Sequence, residues 1–225
     1  MKNTKEEKKE SLNTIKIITL GETGVGKTSI LKRYVYNSFE EDTISTIGLN
    51  FGNKDIILKD NTKIKLSLID TAGQERYRSL STTYFKNADA VLYVFSLDKK
   101  GSYEKIKEWK NMFKQMKKDE GVPAFLIRNK CDLDELNINE VDNFNEENIN
   151  DFLVENNFLK YITTSAKDNT NIDKVFQEIS ETWYNNPSNK NSKNNIKILK
   201  NHKEDQKKQE KKMKKRKCVL CTGDL

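Results

Sequence analysis

Gly21-Glu22-Thr23-Gly24-Val25-Gly26-Lys27-Thr28 lies between the apolar run Ile15–Leu20 and the helix-spaced run Ser29–Tyr36. It matches G-x-x-x-x-G-K-[ST] in full, in the strand–loop–helix context that this pattern needs. Its glycines let successive backbone N–H groups turn toward phosphate oxygens. Lys27 supplies a point charge to the terminal phosphates, and the Thr28 hydroxyl is a ligand for Mg²⁺. The helix that opens here adds the positive end of its dipole. The loop therefore specifies a nucleoside triphosphate without specifying the base. The alternative, a glycine turn followed by a chance Lys-Thr, does not require a strand before it and a helix after it.

Outward from the loop, strands and helices alternate. Ile47–Leu58 and Lys63–Ile69 read as strands joined by a tight turn at Asp60-Asn61. Ala90–Phe95 and Val122–Ile127 are continuous apolar runs, as in strands buried on both faces. Tyr161–Thr164 is a short strand. Helical spacing marks Tyr103–Met116, Glu146–Asn156 and Ile172–Trp183. This alternation predicts an α/β fold, a mostly parallel sheet with helices on both faces and ligands at the C-terminal strand ends. Trp109, Trp183 and most Phe and Tyr are assigned to the core.

Two more motifs follow predicted strands. Asp70-Thr71-Ala72-Gly73-Gln74-Glu75 begins with an acid placed for Mg²⁺, the Walker-B role. Gly73 can donate its N–H to a terminal phosphate, and Gln74 can orient an attacking water. Asn129-Lys130-Cys131-Asp132 brings a carboxylate that can accept from the N1–H and exocyclic amine of guanine. Adenine offers no such pair of donors, a mismatch worth on the order of 10⁴ in discrimination. The Lys130 stem can cover the base, and Asn129 can tie loops together. Ser165-Ala166-Lys167 can add a backbone N–H to the guanine oxygen.

These four elements in order, across about Thr14–Tyr184, resemble a small GTPase of the Ras superfamily. Ile47-Gly48-Leu49-Asn50-Phe51, Arg76-Tyr77-Arg78-Ser79-Leu80 and Tyr84-Phe85-Lys86-Asn87-Ala88 make it most similar to the Rab family. The resemblance implies the P-loop small-GTPase fold with a six-stranded, mostly parallel sheet and helices on both faces. It implies GTP/GDP as bound nucleotide and Mg²⁺ as cofactor, the metal held through Thr28, Thr46 and Asp70. The nucleotide set is Gly21, Glu22, Thr23, Gly24, Val25, Gly26, Lys27, Thr28, Ser29, Thr46, Asp70, Gly73, Asn129, Lys130, Asp132, Ser165, Ala166 and Lys167. Gln74 and Lys27 are the catalytic pair. Small Thr23 leaves room for Gln74 and an incoming arginine. Glu40–Gly48 and Asp70–Ser81 are the implied switches, contacting an exchange factor, an activating protein and effectors. No arginine finger is evident, so intrinsic turnover is expected on the order of 10⁻⁴ to 10⁻³ s⁻¹, with acceleration by a partner.

The chain departs from that pattern in four places. Ile69 stands where Rab proteins usually carry Trp, removing an aromatic anchor that would join Phe51 and Tyr77 on an effector surface. Arg128 replaces a usual small residue before Asn129. Asp134–Phe144 reads as an insertion. Cys131 is at a variable position and is expected to be inert.

The fourth departure is the tail. Residues 185–225 hold thirteen Lys and Arg against four Asp and Glu, a surplus of nine. The whole chain is +7, so residues 1–184 are at −2. The basicity belongs to the tail, and a nucleic-acid surface on the folded body is not indicated. Lys207–Lys217 runs into Cys218 and Cys221, and a basic run with a lipidated cysteine supplies two membrane-anchoring signals. Four residues follow Cys221, and the last four residues do not fit Cys-a-a-X. Prenylation or palmitoylation of the two cysteines and an unmodified tail stay open as alternatives.

Residues 1–13 read as a disordered leader without a signal-peptide core, 14–184 as the GTP-binding domain and 185–225 as a disordered tail. No run of about 18 apolar residues is present. The expected location is cytoplasmic, peripheral on an intracellular membrane if lipidated, and the expected state is a monomer. A scaffold without hydrolysis is disfavoured by Gln74, Thr28, Thr46 and Asp70. A P-loop kinase is disfavoured by Asp132 and the Asp70–Gln74 segment.

Overall fold

A computed structural model describes residues 13–40, 52–71, 84–117, 121–136 and 146–186. The chain divides into two compact units, Met1–Trp183 and Tyr184–Leu225. The first carries β1 (Asn13–Leu20), α1 (Lys27–Tyr36), β2 (Gly52–Ile57), β3 (Lys63–Ile69) and β4 (Ala90–Phe95). Then come α2 (Ile106–Met116), β5 (Ala124–Arg128), a 3₁₀ helix over Cys131–Leu136, α3 (Glu146–Glu155), β6 (Lys160–Thr163) and α4 (Ile172–Asn185).

The six strands form one sheet in the order β2-β3-β1-β4-β5-β6. Only the β2–β3 pair is antiparallel. Its turn closes with Leu58 N–H donating to Thr62 O at 2.9 Å, and Asn61 takes the left-handed φ of 63° that asparagine tolerates. Every residue of β4 is buried, as its unbroken apolar run requires. Side chains alternate across a strand. Ile18, Leu20, Val91, Tyr93, Phe95 and Leu126 join one core cluster with Ile106, Trp109 and Phe113 of α2 and Phe152 of α3. On the other face, Tyr34 of α1 stacks on Phe176 of α4 with ring centroids 3.8 Å apart. The helices thus cover both faces of the sheet.

Several element boundaries differ from the sequence reading by one to three residues: β1 begins at Asn13 rather than Ile15, β6 is Lys160–Thr163 rather than Tyr161–Thr164, and α4 runs to Asn185 rather than Trp183. Pro123 has no N–H to give the ladder, so β5 begins at Ala124 rather than Val122. The helix expected from Tyr103 begins at Ile106. Before it, Ser102 Oγ donates to Ser96 O at 2.8 Å and accepts from Ser96 N–H at 3.2 Å, and Gly101 takes φ 77°. That pin holds the chain in successive turns and delays the helix. The strand expected over Ile47–Leu58 is described only as Gly52–Ile57, since residues 41–51 lie outside the described residues.

Ile69, where an aromatic anchor was expected to be missing, lies in the core. It is 4% exposed and belongs to the core cluster with Phe85 and Phe95. It therefore offers little surface of its own to a partner.

Candidate nucleotide site

The carboxyl ends of β1, β3, β5 and β6 lead directly into the four predicted motifs. The sheet is parallel there, so these ends lie along one edge, where an open α/β sheet binds ligands.

The loop after β1 depends on three glycines with positive φ. Gly21 has φ 145°, Gly24 81° and Gly26 91°. A Cβ at Gly21 would fall within 3.0 Å of Val94 O on β4, and one at Gly26 within 3.0 Å of Asn129 Nδ2. Val25 is fully buried and anchors the loop, while Thr23 and Gly24 are exposed. The Lys99 side chain lies over Gly24, its Cε 3.0 Å from where a Cβ would stand. Helix α1 opens on Gly26 with no side-chain cap and no acid in its first turn. Its N-terminal N–H groups and dipole are thus uncompensated by the helix's own side chains, as an anion site requires.

Lys27 is 5% exposed. Its Nζ donates to Gly21 O and Glu22 O, both at 2.8 Å. Burial lowers its pKa to about 8, against the opposing pull of Asp70 and Glu22. A buried ammonium resting on neutral carbonyls fits a site for anionic oxygens.

Asp70 is 2% exposed. Its Oδ2 accepts from Thr28 Oγ1 at 2.6 Å, and its Oδ1 lies 3.4 Å from Thr19 Oγ1. A hydroxyl and a carboxylate side by side are the hard oxygen donors that Mg²⁺ prefers. Thr28 and Asp70 therefore fit that ion and would hold it.

The base-side loops form one hydrogen-bonded body. Asn129 is 2% exposed. It donates from Nδ2 to Val25 O at 3.0 Å and accepts on Oδ1 from Thr164 Oγ1 at 3.1 Å. Asn129 thus ties the loop after β5 to the phosphate loop, as its sequence position suggested. Lys130 takes φ 65° and pairs with Asp98 at 2.8 Å. Asp132 Oδ1 accepts from Ser165 Oγ at 2.6 Å, and Ser165 Oγ accepts from Asp168 N–H at 3.0 Å. Asp132 and Ser165-Ala166-Lys167 are therefore adjacent. Burial raises the Cys131 thiol, leaving it less reactive than an ordinary cysteine.

Three contributors were not legible in the sequence. Arg33 on α1 donates from Nε to Ala166 O at 2.7 Å and from Nη2 to Lys167 O at 2.8 Å. It clamps the last base-side loop to the helix that begins at the phosphate loop. An arginine two turns along that helix was the available signal. Trp109 is core, as expected, yet its Nε1 also donates to Glu22 Oε1 at 3.0 Å, tethering the phosphate loop to α2. Thr164 carries no motif at all. Thr46, Gly73, Gln74, Cys218 and Cys221 lie outside the described residues, as does all of Glu40–Gly48 except Glu40 and all of Asp70–Ser81 except Asp70 and Thr71.

The Ras family model matches residues 16–185 of the chain. Rat "Ras-related protein Rab-9A" is 37% identical over 166 residues, covering 72% of this chain and 79% of that relative. Human "Ras-related protein Rab-9B" is 36% identical over 167 residues, 73% and 80% of the two chains. The fission yeast "GTP-binding protein ypt3" is 37% identical over 164 residues, 73% of each. With the matched region spanning all four motifs and the sheet that carries them, the chain belongs to the Ras family of small GTPases, in its Rab branch.

Proposed function

We propose that this GTPase is a timed switch for membrane traffic, binding GTP and GDP along the strand ends and recruiting effectors in the GTP state. One observation carries the reading. Lys27, Thr28 and Asp70 meet at one end of a site whose other end holds Asn129 and Asp132, with Asn129 bonded to Val25 between them.

In this reading the N–H groups of residues 21–28 cradle the phosphates, with Ser29 following in the first turn of α1. The buried Lys27 ammonium meets the charge of the β- and γ-phosphates. Mg²⁺, when bound, neutralises charge between those phosphates. Thr28, Asp70 and Thr46 would hold that ion. Asp132 reads guanine, Lys130 covers one face of the base, and the 165–167 backbone meets the guanine oxygen. Gln74 orients the attacking water, and Gly73 donates to the γ-phosphate. Hydrolysis then frees Thr46 and Gly73, and residues 40–48 and 70–81 relax and release effectors. An exchange factor resets the cycle, and an activating protein supplies the missing cation in trans.

The domain plan of this reading is a GTP-binding body over 14–184 between a polar leader and a basic tail. Among the described residues no helix is long and apolar enough to cross a membrane. Attachment to a cytosolic membrane face is assigned to Lys207–Lys217 with lipid on Cys218 and Cys221. Intact mass of the protein from its own cells tests this, and an unlipidated species would remove the anchor.

The test of the central reading is extraction of nucleotide from the purified chain with and without Mg²⁺. GDP or GTP released faster after chelation is expected. Adenine nucleotide would overturn the assignment. Gln74→Leu is expected to slow hydrolysis while keeping GTP affinity, and equal turnover in both proteins would remove Gln74 from the chemistry.

A further inference from the structure

Arg128 sits immediately before the base-recognition turn. Its side chain reaches six residues forward, past Asn129, Lys130 and Asp132, and Nη2 donates to Asp134 Oδ2 at 2.8 Å. The pair is mostly removed from water, at 13% side-chain exposure for Arg128 and 32% for Asp134. Arg128 Nε is buried without an acceptor among the described residues. Asp134 is thus the carboxylate that offsets an otherwise costly buried guanidinium.

The turn it spans is one that needs holding. Lys130 has a left-handed φ, which a side chain with a Cβ adopts only when its surroundings impose it. One half of the turn is fixed from outside, through Asn129 and through Arg128 O, which accepts from Thr164 N–H at 2.7 Å. The other half carries Asp132 in the 3₁₀ helix Cys131–Leu136, and Asp134 lies two residues beyond it in the same helix. The ion pair thus joins the residue before the turn to the 3₁₀ helix that carries Asp132, while Ser165 Oγ donates to Asp132 itself.

We propose that the Arg128–Asp134 pair is a positioning clasp that fixes the Asp132 carboxylate and so sets the dwell time of the guanine nucleotide. The inference rests on the guanine reading of Asp132. It assigns a role to two positions where this chain departs from its family pattern, the arginine before Asn129 and the start of the inserted segment. Any partner that draws Asp134 away would loosen the base end of the site without touching the phosphates.

The buried cation sets an order among variants. Asp134→Ala strands Arg128, whereas Arg128→Ala removes the buried charge and leaves the more exposed Asp134 free to hydrate. With fluorescent GDP on the full chain, Asp134→Ala is expected to raise the dissociation rate about tenfold, within the span of a coupled pair. Arg128→Ala should raise it less, and the double variant should match Arg128→Ala alone. Asp134→Glu should restore most of the dwell time. The preference for GDP over inosine diphosphate, which lacks the exocyclic amine, should fall in Asp134→Ala. A merely structural role would leave that preference unchanged. Arg128→Ala introduces a small residue of the kind usual at this position, so it keeps the test available if Asp134→Ala folds poorly. Dissociation within twofold of wild type in both single variants, additive effects in the double variant, or an unchanged base preference would each overturn the clasp. Failure of the wild-type chain to bind GDP would instead overturn the guanine reading on which the clasp rests.

Discussion

Gly26→Ala probes the seam between the two halves of the site. Gly26 has φ 91°, and a Cβ there would fall within 3.0 Å of Asn129 Nδ2. A residue with a Cβ held at such φ costs on the order of 1–3 kcal/mol. Relieving the contact moves the Asn129 amide off Val25 O and Thr164 Oγ1, now at 3.0 and 3.1 Å. Leaving these buried groups unmatched costs about 1–3 kcal/mol more. Together the change approaches ~2–6 kcal/mol, a large share of the roughly 5–15 kcal/mol that holds a domain together. Part of that falls on the nucleotide, because the displaced Asn129 orders both loops. GDP affinity is expected to drop at least ~100-fold, equivalent to about 2.8 kcal/mol. Titration with fluorescent GDP measures this, and thermal melting measures the stability part. Gly101→Ala is the control. Gly101 has φ 77° with open space around it, so strain acts there without a clash. Its melting temperature should fall while GDP affinity holds. The cause can be isolated further, since Gly26→Ala should do less harm on an Asn129→Ala background. Wild-type GDP affinity in Gly26→Ala, or equal loss with and without Asn129, would refute the seam as the element that shapes the site.

Lys27 gives a pH signature. Its pKa is lowered from 10.5 to about 8, so between those values the unfolded chain holds more protons than the folded one. Stability contributed at this site therefore rises with pH across that window. The nucleotide-free protein should gain stability relative to Lys27→Met from pH 7.5 to 9.5, and a constant gap in melting temperature would contradict it. Arg33→Ala removes two charge-assisted bonds to Ala166 O and Lys167 O and should speed GDP release roughly tenfold. Stopped-flow release at the wild-type rate would remove Arg33 from the site. Trp109→Phe keeps the ring but loses the donor to Glu22 and should cost about 1–3 kcal/mol in denaturant titration. Glu22→Gln keeps an acceptor and should cost less, and an equal loss in both would argue against the tether.

The order of elements and the place of the site were legible because the sequence states them locally. Ala90–Phe95 is buried on both faces, and only apolar residues fill it. The phosphate loop announces its strand and helix through fixed spacing. What stayed hidden were the contacts between distant positions that no motif joins. Arg33 meets Ala166 across 133 positions, and Trp109 meets Glu22 across 87. No spacing rule links such pairs, and each alone reads as a surface cation or a core aromatic. Ile69 shows the same limit from the other side. Its family pattern suggested a missing surface anchor, and only the fold shows that the residue itself is buried in the core cluster that also holds Phe85 and Phe95. Arg128 stood out as a misfit in sequence, and only the fold supplied Asp134 as its partner.

These long contacts divide the site unequally. On the base side, Asn129, Thr164, Asp132, Ser165 and Arg33 are all matched by protein partners, so the loops are ordered before any ligand arrives. Preorganisation of this kind spends little of the binding free energy on arranging the protein. On the phosphate side, a buried ammonium rests on carbonyls of its own loop, and an acid and a hydroxyl face each other at 2.6 Å. The Lys27 ammonium in that half is buried on neutral carbonyls, and burial lowers its pKa although Asp70 and Glu22 pull the other way, so further negative charge at Nζ would be favourable. A triphosphate supplies it. The nucleotide is then a structural component as well as a substrate, and a ligand held at 1,000 times its Kd stabilises the fold by about 4 kcal/mol. It follows that a partner acting on the base side changes how long nucleotide stays. One acting on the phosphate side also removes part of what holds the loop together, so exchange through that side should pass through a state measurably less stable than either nucleotide complex.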